Sequence, residues 1–273
     1  EIGSGLVGSE MCIRDRLYSE LIDEKNKVIY LAPFAGSTKI LKYNLDGTFV
    51  TDYDLGERLN KPKLSLNPDG SISLVHLCFQ GMSEMMGAVI TPDSTITKYI
   101  PAPGQAINPR DKNGSFVGFN NEIWSYNNVE GFKYMMMPVD TLYNYNAAAN
   151  KMEAQFALSN PPVGEDVFLI YDELPGKYLA TVWGKGTIVV DNKNNNSHYV
   201  KLVNDYFGGL PAPMNFTNGW FFAMYEPAVL MENIEKRMAA SDCTDKDKEL
   251  LKGLLESLDE NDNNVMFIGK LKK

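Results

Sequence analysis

The sequence predicts an all-β chain of successive four-stranded antiparallel sheets set around a common axis, and three observations carry that prediction. Short β-rich runs separated by Gly, Asp and Asn turns recur from Lys27 to the C-terminus. The clearest unit places Val28-Ile-Tyr-Leu31 and Lys39-Ile-Leu-Lys-Tyr-Asn44 before the turn Leu45-Asp46-Gly47, with Thr48-Phe-Val-Thr-Asp-Tyr53 after it. Such units return at roughly 40 to 55 residues, the period of a blade in a β-propeller.

The blades follow in order. The first runs from Val28 to about Leu55, with Asp46-Gly47 as its hairpin turn, since a tight hairpin needs residues that tolerate positive φ. The second comprises Lys63–Leu66, the turn Asn67-Pro-Asp-Gly70, Ser71–Cys78, Gly87–Thr91 and Thr95–Tyr99. Pro101, Pro103 and Pro109 mark a connection, where no ladder donor is needed. The third is expected at Ser115–Phe119, Glu122–Tyr126, Lys133–Met137, Thr141–Tyr145 and Met152–Phe156. The fourth has Phe168–Tyr171, Tyr178–Trp183, Thr187–Val190 and His198–Leu202, with Asp191–Asn196 as a polar loop. The fifth opens at Trp220–Tyr225 and then changes character.

Between about 228 and 258 the apolar period becomes helical: Val229, Leu230, Ile234 and Met238, then Leu250, Leu251, Leu254, Leu255 and Leu258. Thr244 followed by Asp245 and Asp247 is a helix start. Val265-Met-Phe-Ile268 returns as the closing strand. The helical pair therefore reads as an insertion before that strand.

Residues 1–16 are set apart. Leu6-Val-Gly-Ser-Glu-Met-Cys-Ile-Arg-Asp-Arg16 reads as a translated frame of a transposase adaptor used in DNA library preparation, a non-native segment to be excluded from fold reasoning. Its Gly3-Ser-Gly-Leu-Val-Gly8 matches a dinucleotide fingerprint in form only, because no strand precedes it and no helix follows. The expectation is a propeller domain over 17–273 whose natural start lies upstream.

Composition narrows the function classes. With 44% hydrophobic and 22% charged residues the chain is of ordinary globular type. A net charge of −9 argues against nucleic acid as a partner, since phosphate contacts need clustered Lys and Arg. No apolar run reaches the roughly 18 residues that would span a membrane. Outside the adaptor-like segment only Cys78, in a half-buried strand, and Cys243, in a polar loop, remain; they define neither a disulfide framework nor a metal spacing. GxSxG, HExxH and CxxC patterns are missing, and His76 and His198 stand alone. No general base with sequence partners emerges.

Asn204-Asp-Tyr-Phe-Gly-Gly-Leu-Pro-Ala-Pro213, the helical stretch and Glu260-Asn-Asp-Asn-Asn-Val-Met-Phe-Ile-Gly-Lys-Leu271 resemble the C-terminal signature of six-bladed β-propeller proteins of Bacteroidetes, TolB-like or NHL-like chains that are mostly lipoproteins. Asn264 departs from that signature, which usually carries Pro after the asparagine. The resemblance implies an all-β, six-bladed β-propeller, N-terminally truncated with about five blades represented. It also implies a periplasmic or outer-membrane-associated lipoprotein, held to the membrane by a lipid anchor upstream of this chain. Asp140-Thr141-Leu142 and Asp93-Ser94-Thr95 match the short O-glycosylation pattern used on exported proteins of this bacterial group, which is consistent with export.

No catalytic residues and no cofactor are expected. The leading reading is non-catalytic binding of a small molecule, glycan or envelope protein, with Trp124, Tyr126, Trp183 and Tyr225 as candidate ligand contacts near the channel mouth. For each aromatic taken singly, packing between blades is the competing explanation. The alternative is a Ca-dependent, lactonase-like propeller hydrolase using the central channel, with Asn121, Glu122, Asp172 and Glu226 as metal ligands. Calcium needs roughly six to eight oxygens, and turn chemistry alone also places Asn and Asp beside strands.

Overall fold

The computed structural model describes residues 17–34, 36–101, 105–137, 140–160, 169–212 and 215–272. The adaptor-like segment 1–16 and positions 103, 168 and 213 named above lie outside the described residues. The chain divides into two compact units, Glu1–Pro161 and Pro162–Lys273. Among the described residues its sheets are antiparallel and follow the propeller pattern, with three blade-type sheets in the first unit and two in the second.

In the first unit, β1 (Leu17–Asp23), β2 (Val28–Pro33), β3 (Lys39–Asn44) and β4 (Phe49–Asp54) form an antiparallel meander in that order. The Asp46-Gly47 turn forms as expected, with Gly47 at φ 89° and the Thr48 N–H donating to Asp46 Oδ1 at 2.9 Å. β1 was not anticipated, because its pattern is inverted. Ser19 and Asp23 are its buried side chains, whereas Leu17 and Ile22 are about half exposed. The polar pair is satisfied internally: the Ser19 hydroxyl donates to Pro62 O at 2.7 Å, and Asp23 accepts from Asn26. Period-2 hydrophobicity cannot find such a strand.

The second blade is β5 (Lys63–Leu66), β6 (Ile72–Val75), β7 (Gly87–Ile90) and β8 (Ile96–Tyr99). Both β6 and β7 are buried on both faces, as a blade between two others must be. β6 stops at Val75, so His76 and Cys78 lie beyond the strand assigned to them. The third blade is β9 (Ile123–Trp124), β10 (Phe132–Met136), β11 (Leu142–Asn146) and β12 (Lys151–Phe156). The strand expected at 115–119 does not form. That stretch makes a single bridge, Arg110 to Phe116, and then a 3-10 turn at Gly118–Asn120. The Phe116 ring packs edge-on against Phe79 at 6.2 Å, so its apolar character serves an anchor rather than a ladder.

Sheets pack face to face across two apolar layers. Tyr30, Ile40 and Tyr53 meet Leu64, Leu74 and Ile90 in one layer. Val75, Met86 and Val89 meet Ile123, Phe132, Tyr134 and Tyr145 in the other. Gly87 is required at the second contact: a Cβ there would sit 2.8 Å from Met152 Cε and 2.9 Å from the Leu74 carbonyl oxygen.

The second unit opens with a four-stranded meander, β13 (Leu169–Leu174), β14 (Lys177–Val182), β15 (Gly186–Asp191) and β16 (Ser197–Val200). A short pair, β17 (Val203–Asn204) with β18 (Leu210–Pro211), precedes the three-stranded sheet of β19 (Phe216–Thr217), β20 (Trp220–Tyr225) and β21 (Val265–Lys270). Helices α1 (Pro227–Met238) and α2 (Asp245–Glu256) are inserted between the hydrogen-bonded neighbours β20 and β21. Proline opens α1, where a missing N–H costs nothing. Thr244 and Asp247 close a capping box on α2.

Two expectations here are corrected. Val229 and Leu250 share the helical apolar period but are 45% and 41% exposed, so the buried stripe is narrower: Leu230, Ile234 and Leu251. Cys243 is not in a solvated loop; it is buried in that same cluster with Leu210, because the short connection between α1 and α2 turns its side chain inward.

The Asn204–Leu210 stretch acquires a physical explanation. Asn204 accepts from the Phe207 N–H, and Gly208 and Gly209 take φ of 61° and 83°. At Gly208 a Cβ would lie 3.1 Å from Leu251. Arg237 donates to the Gly208 carbonyl at 2.7 Å, tying the turn to α1.

Candidate functional site

Trp183 and Tyr225, both expected on sequence grounds, line one recess of about 690 Å³ in the second unit. Trp183 stands at the tip of the β14–β15 hairpin, where Gly184 (φ 71°) and Gly186 (φ 123°) turn the chain tightly and the Lys185 N–H closes on the Val182 carbonyl at 2.9 Å. The turn leaves Trp183 69% exposed. Tyr225 ends β20, half-buried; its hydroxyl donates to the Pro211 carbonyl and its ring packs against Phe267 at 5.8 Å. Burial pushes its phenol above the usual range. One aromatic is thus held rigidly and the other is offered to solvent.

The rest of the recess is mostly apolar, with Leu202, Pro211 and the Thr181 and Thr187 side chains, and it carries Lys185 and Lys201. Among the described residues its lining holds no carboxylate. The lysines were not anticipated. The available signal was Trp183-Gly-Lys-Gly-Thr187, a hairpin tip that sets an indole and an ammonium two residues apart.

Trp124 and Tyr126 belong to the first unit and do not join that recess. Trp124 is half-buried in β9 opposite Met135, and Tyr126 follows the strand, also half-buried. Both fit the packing explanation.

Of the proposed metal ligands, Asn121 and Glu122 lie in the first unit, whereas Asp172 and Glu226 lie in the second. Glu122 is engaged already. Lys61 Nζ donates to Glu122 Oε2 at 2.7 Å and to the Asn121 carbonyl at 2.8 Å, and the Tyr18 hydroxyl donates to Glu122 Oε1. Lys63 sits 4.4 Å from the centre of the Tyr18 ring. Asp172 is half-buried in β13, and Glu226 is exposed at the start of α1. Among the described residues no three His, Cys, Asp or Glu side chains converge as a metal site.

This ionic cluster was also not legible. Lys61 precedes a proline yet has φ 48°, a conformation that pre-proline residues avoid. The strain is tolerated because its N–H donates to Phe34 O and its ammonium is doubly hydrogen-bonded. Burial pulls the Lys61 ammonium below the usual lysine range and pushes the Glu122 carboxyl above its own. The pair is electrostatically costly and held by geometry.

His76 is fully buried. Its Nδ1 accepts from the Asn60 N–H at 3.3 Å, which leaves the proton on Nε2 to reach the Met85 carbonyl at 2.8 Å. Glu57 approaches Nε2 at 3.6 Å and also accepts from the Glu84 and Met85 N–H groups. Burial works against the Glu57 carboxylate, but His76 and those N–H donors together hold it below the usual range. The arrangement pins the 77–86 loop.

No protein-family model matches the chain, and no curated protein matches it in sequence. Among solved structures, a candidate exported protein of Bacteroides fragilis superposes over 94% of this chain and 77% of its own, with a TM-score of 0.56 at 14% identity. That likeness is one of fold. An auxiliary nutrient binding protein of Bacteroides ovatus gives 0.43 at 10% identity, and the dihydro-heme d1 dehydrogenase NirN gives 0.44 at 12%. The chain spans 51% and 40% of those two proteins respectively.

Proposed function

We propose that this chain is a non-catalytic ligand-binding propeller of the bacterial cell envelope and that it takes its ligand in the Trp183–Tyr225 recess. The carrying observation is Trp183, 69% exposed at a glycine-braced hairpin tip, beside a buried-edge tyrosine in one recess. An isolated exposed aliphatic residue needs no explanation, but an exposed aromatic beside an anchored one over a concave, mostly apolar surface is the form that ligand contacts take. Extracytoplasmic placement draws support from the fold likeness to a candidate exported protein. The six-blade count, the lipoprotein anchor and the exclusion of nucleic acid belong to the same reading. No cofactor takes part in it.

The test is titration of glycans, peptides and envelope proteins against a W124F/W220F background, in which Trp183 is the remaining tryptophan. Ligand-induced change in its emission is expected, together with loss of binding by Trp183→Ala in calorimetric titration. Binding indifferent to Trp183, or chelator-sensitive turnover of a lactone or ester, defeats the reading.

A further inference from the structure

The recess has a charge that the molecule as a whole does not. On a chain of net charge −9, its lining contains Lys185 and Lys201 and, among the described residues, no Asp or Glu. A second recess of about 440 Å³ adjoins it, sharing Lys201 and Pro211 and adding Lys236, Arg237 and one carboxylate, Asp242. Arg237 is held by Asp242 at 2.5 Å and Lys236 by Glu232 at 2.5 Å, so the ligand's charges fall to Lys185 and to Lys201, which also feels the Asp242 carboxylate. We propose that the ligand is an acidic polysaccharide, carboxylated or sulfated, lying along this trough with one ring stacked on Trp183 and its anionic groups against Lys185 and Lys201. This rests on the binding reading above and names its ligand class.

Each part of that ligand answers a feature of the site. The C–H face of a pyranose is apolar and flat enough to cover an exposed indole, while its hydroxyls suit the half-buried Thr181 in the same lining. Cations spaced along a trough suit charges repeated along a chain better than one compact phosphate. The recess lining offers one exposed indole in place of a row of stacking aromatics, which disfavours a nucleic-acid strand. An open surface site that excludes little water suits a ligand that stays largely hydrated.

The experiment is calorimetric titration of the full chain with oligogalacturonate and sulfated chondroitin oligosaccharides. Neutral malto- and cello-oligosaccharides of equal length, poly-glutamate and an oligothymidylate serve as comparisons. The two acidic saccharides are expected to bind and the comparisons to bind at least about tenfold more weakly, each tenfold being about 1.4 kcal/mol. Lys185→Gln and Lys201→Gln should each weaken acidic saccharides about two- to fivefold, because exposed ion pairs are individually modest. Raising salt should erase that difference. Trp183 is exposed, so Trp183→Ala leaves the core untouched and should weaken binding by about tenfold or more. Neutral saccharides binding as well through Trp183 would refute the acidic ligand while leaving the recess as the binding site. Equal binding of poly-glutamate or oligothymidylate, insensitive to Trp183, refutes saccharide recognition and points to charge alone. Acidic saccharide binding unaffected by any of the three substitutions removes both proposals.

Discussion

Breaking the Lys61–Glu122 pair should cost unequally from its two ends. The Lys61 side chain is 7% exposed and that of Glu122 is 32% exposed. Lys61→Met leaves a carboxylate that still accepts from Tyr18 and still sees water. Its cost should be about 1.5–3 kcal/mol, that of a hydrogen bond to a charged group. Glu122→Leu instead removes the charge partner of the more deeply buried ammonium, which keeps the Asn121 carbonyl and the Phe34 ring at 5.7 Å among its contacts, and releases Tyr18 to a weaker contact with the Ile123 carbonyl at 3.3 Å. Removing one partner of a buried pair costs about 3–5 kcal/mol, and the surviving carbonyl contact argues for the lower end. The double variant should resemble Lys61→Met, far from the sum of the two, because the stranded charge is gone.

The assay is urea unfolding followed by Trp124 emission in a W183F/W220F background, which reads the first unit alone. Its pH dependence supplies a second arm. Burial raises the folded Glu122 carboxyl above its ordinary 4.5, so the unfolded chain binds fewer protons there and stability falls as pH rises through the window just above that value. Glu122→Leu should abolish that fall. Burial lowers Lys61 below 10.5, so stability rises with pH on approach to 10.5, and Lys61→Met should reduce the rise. Equal costs at the two ends, or an additive double variant, would refute the argument from unequal burial.

Three further outcomes are expected. Gly87→Ala should destabilise by about 1–3 kcal/mol by overpacking, since the new methyl meets the Leu74 carbonyl as well as the more yielding Met152 tip; thermal unfolding measures it. Burial, aided by the Glu57 charge, pushes the Cys78 thiol up to about 11, so a disulfide-exchange reagent at pH 8 should label it only on unfolding; native labelling at the rate of a free thiol contradicts the burial. Thr244→Ala removes half of the capping box and should cost about 0.5–2 kcal/mol in the second unit, read by circular dichroism, with Thr244→Ser restoring most of it.

Legibility in the sequence followed the physics of each element. Blades whose faces alternate were visible: β3 and β4 around Asp46-Gly47, and β13 to β16 around Asp191–Asn196, appear where periodicity and turn residues put them. β1 escaped because its inward side chains are Ser19 and Asp23, satisfied by a carbonyl and by a turn that only the fold supplies. The spurious strand at 115–119 arose from aromatic content that serves the Phe79 contact. The four candidate aromatics divide by placement. Trp183 and Tyr225 share a recess although 42 positions separate them in the chain. Trp124 and Tyr126 have the same residue types, but they sit against Met135 and in the half-buried run after β9. Residue type marks a candidate; only tertiary placement decides between packing and exposure.

The two sites differ in what they ask of the scaffold. Tyr18, Lys61 and Glu122 are mutually satisfied, and a group already paired and desolvated has little to offer a ligand beyond its own exchange. The Trp183 hairpin is the reverse. Its glycines allow the positive-φ turn, its indole lies mostly in solvent, and Lys185 lines the same recess in a chain of net charge −9. A negative surface elsewhere disfavours non-specific adhesion of anionic polymers. A local basic, aromatic recess can then select an acidic chain by combining stacking with charge, because neither contact alone is strong enough in water to hold it.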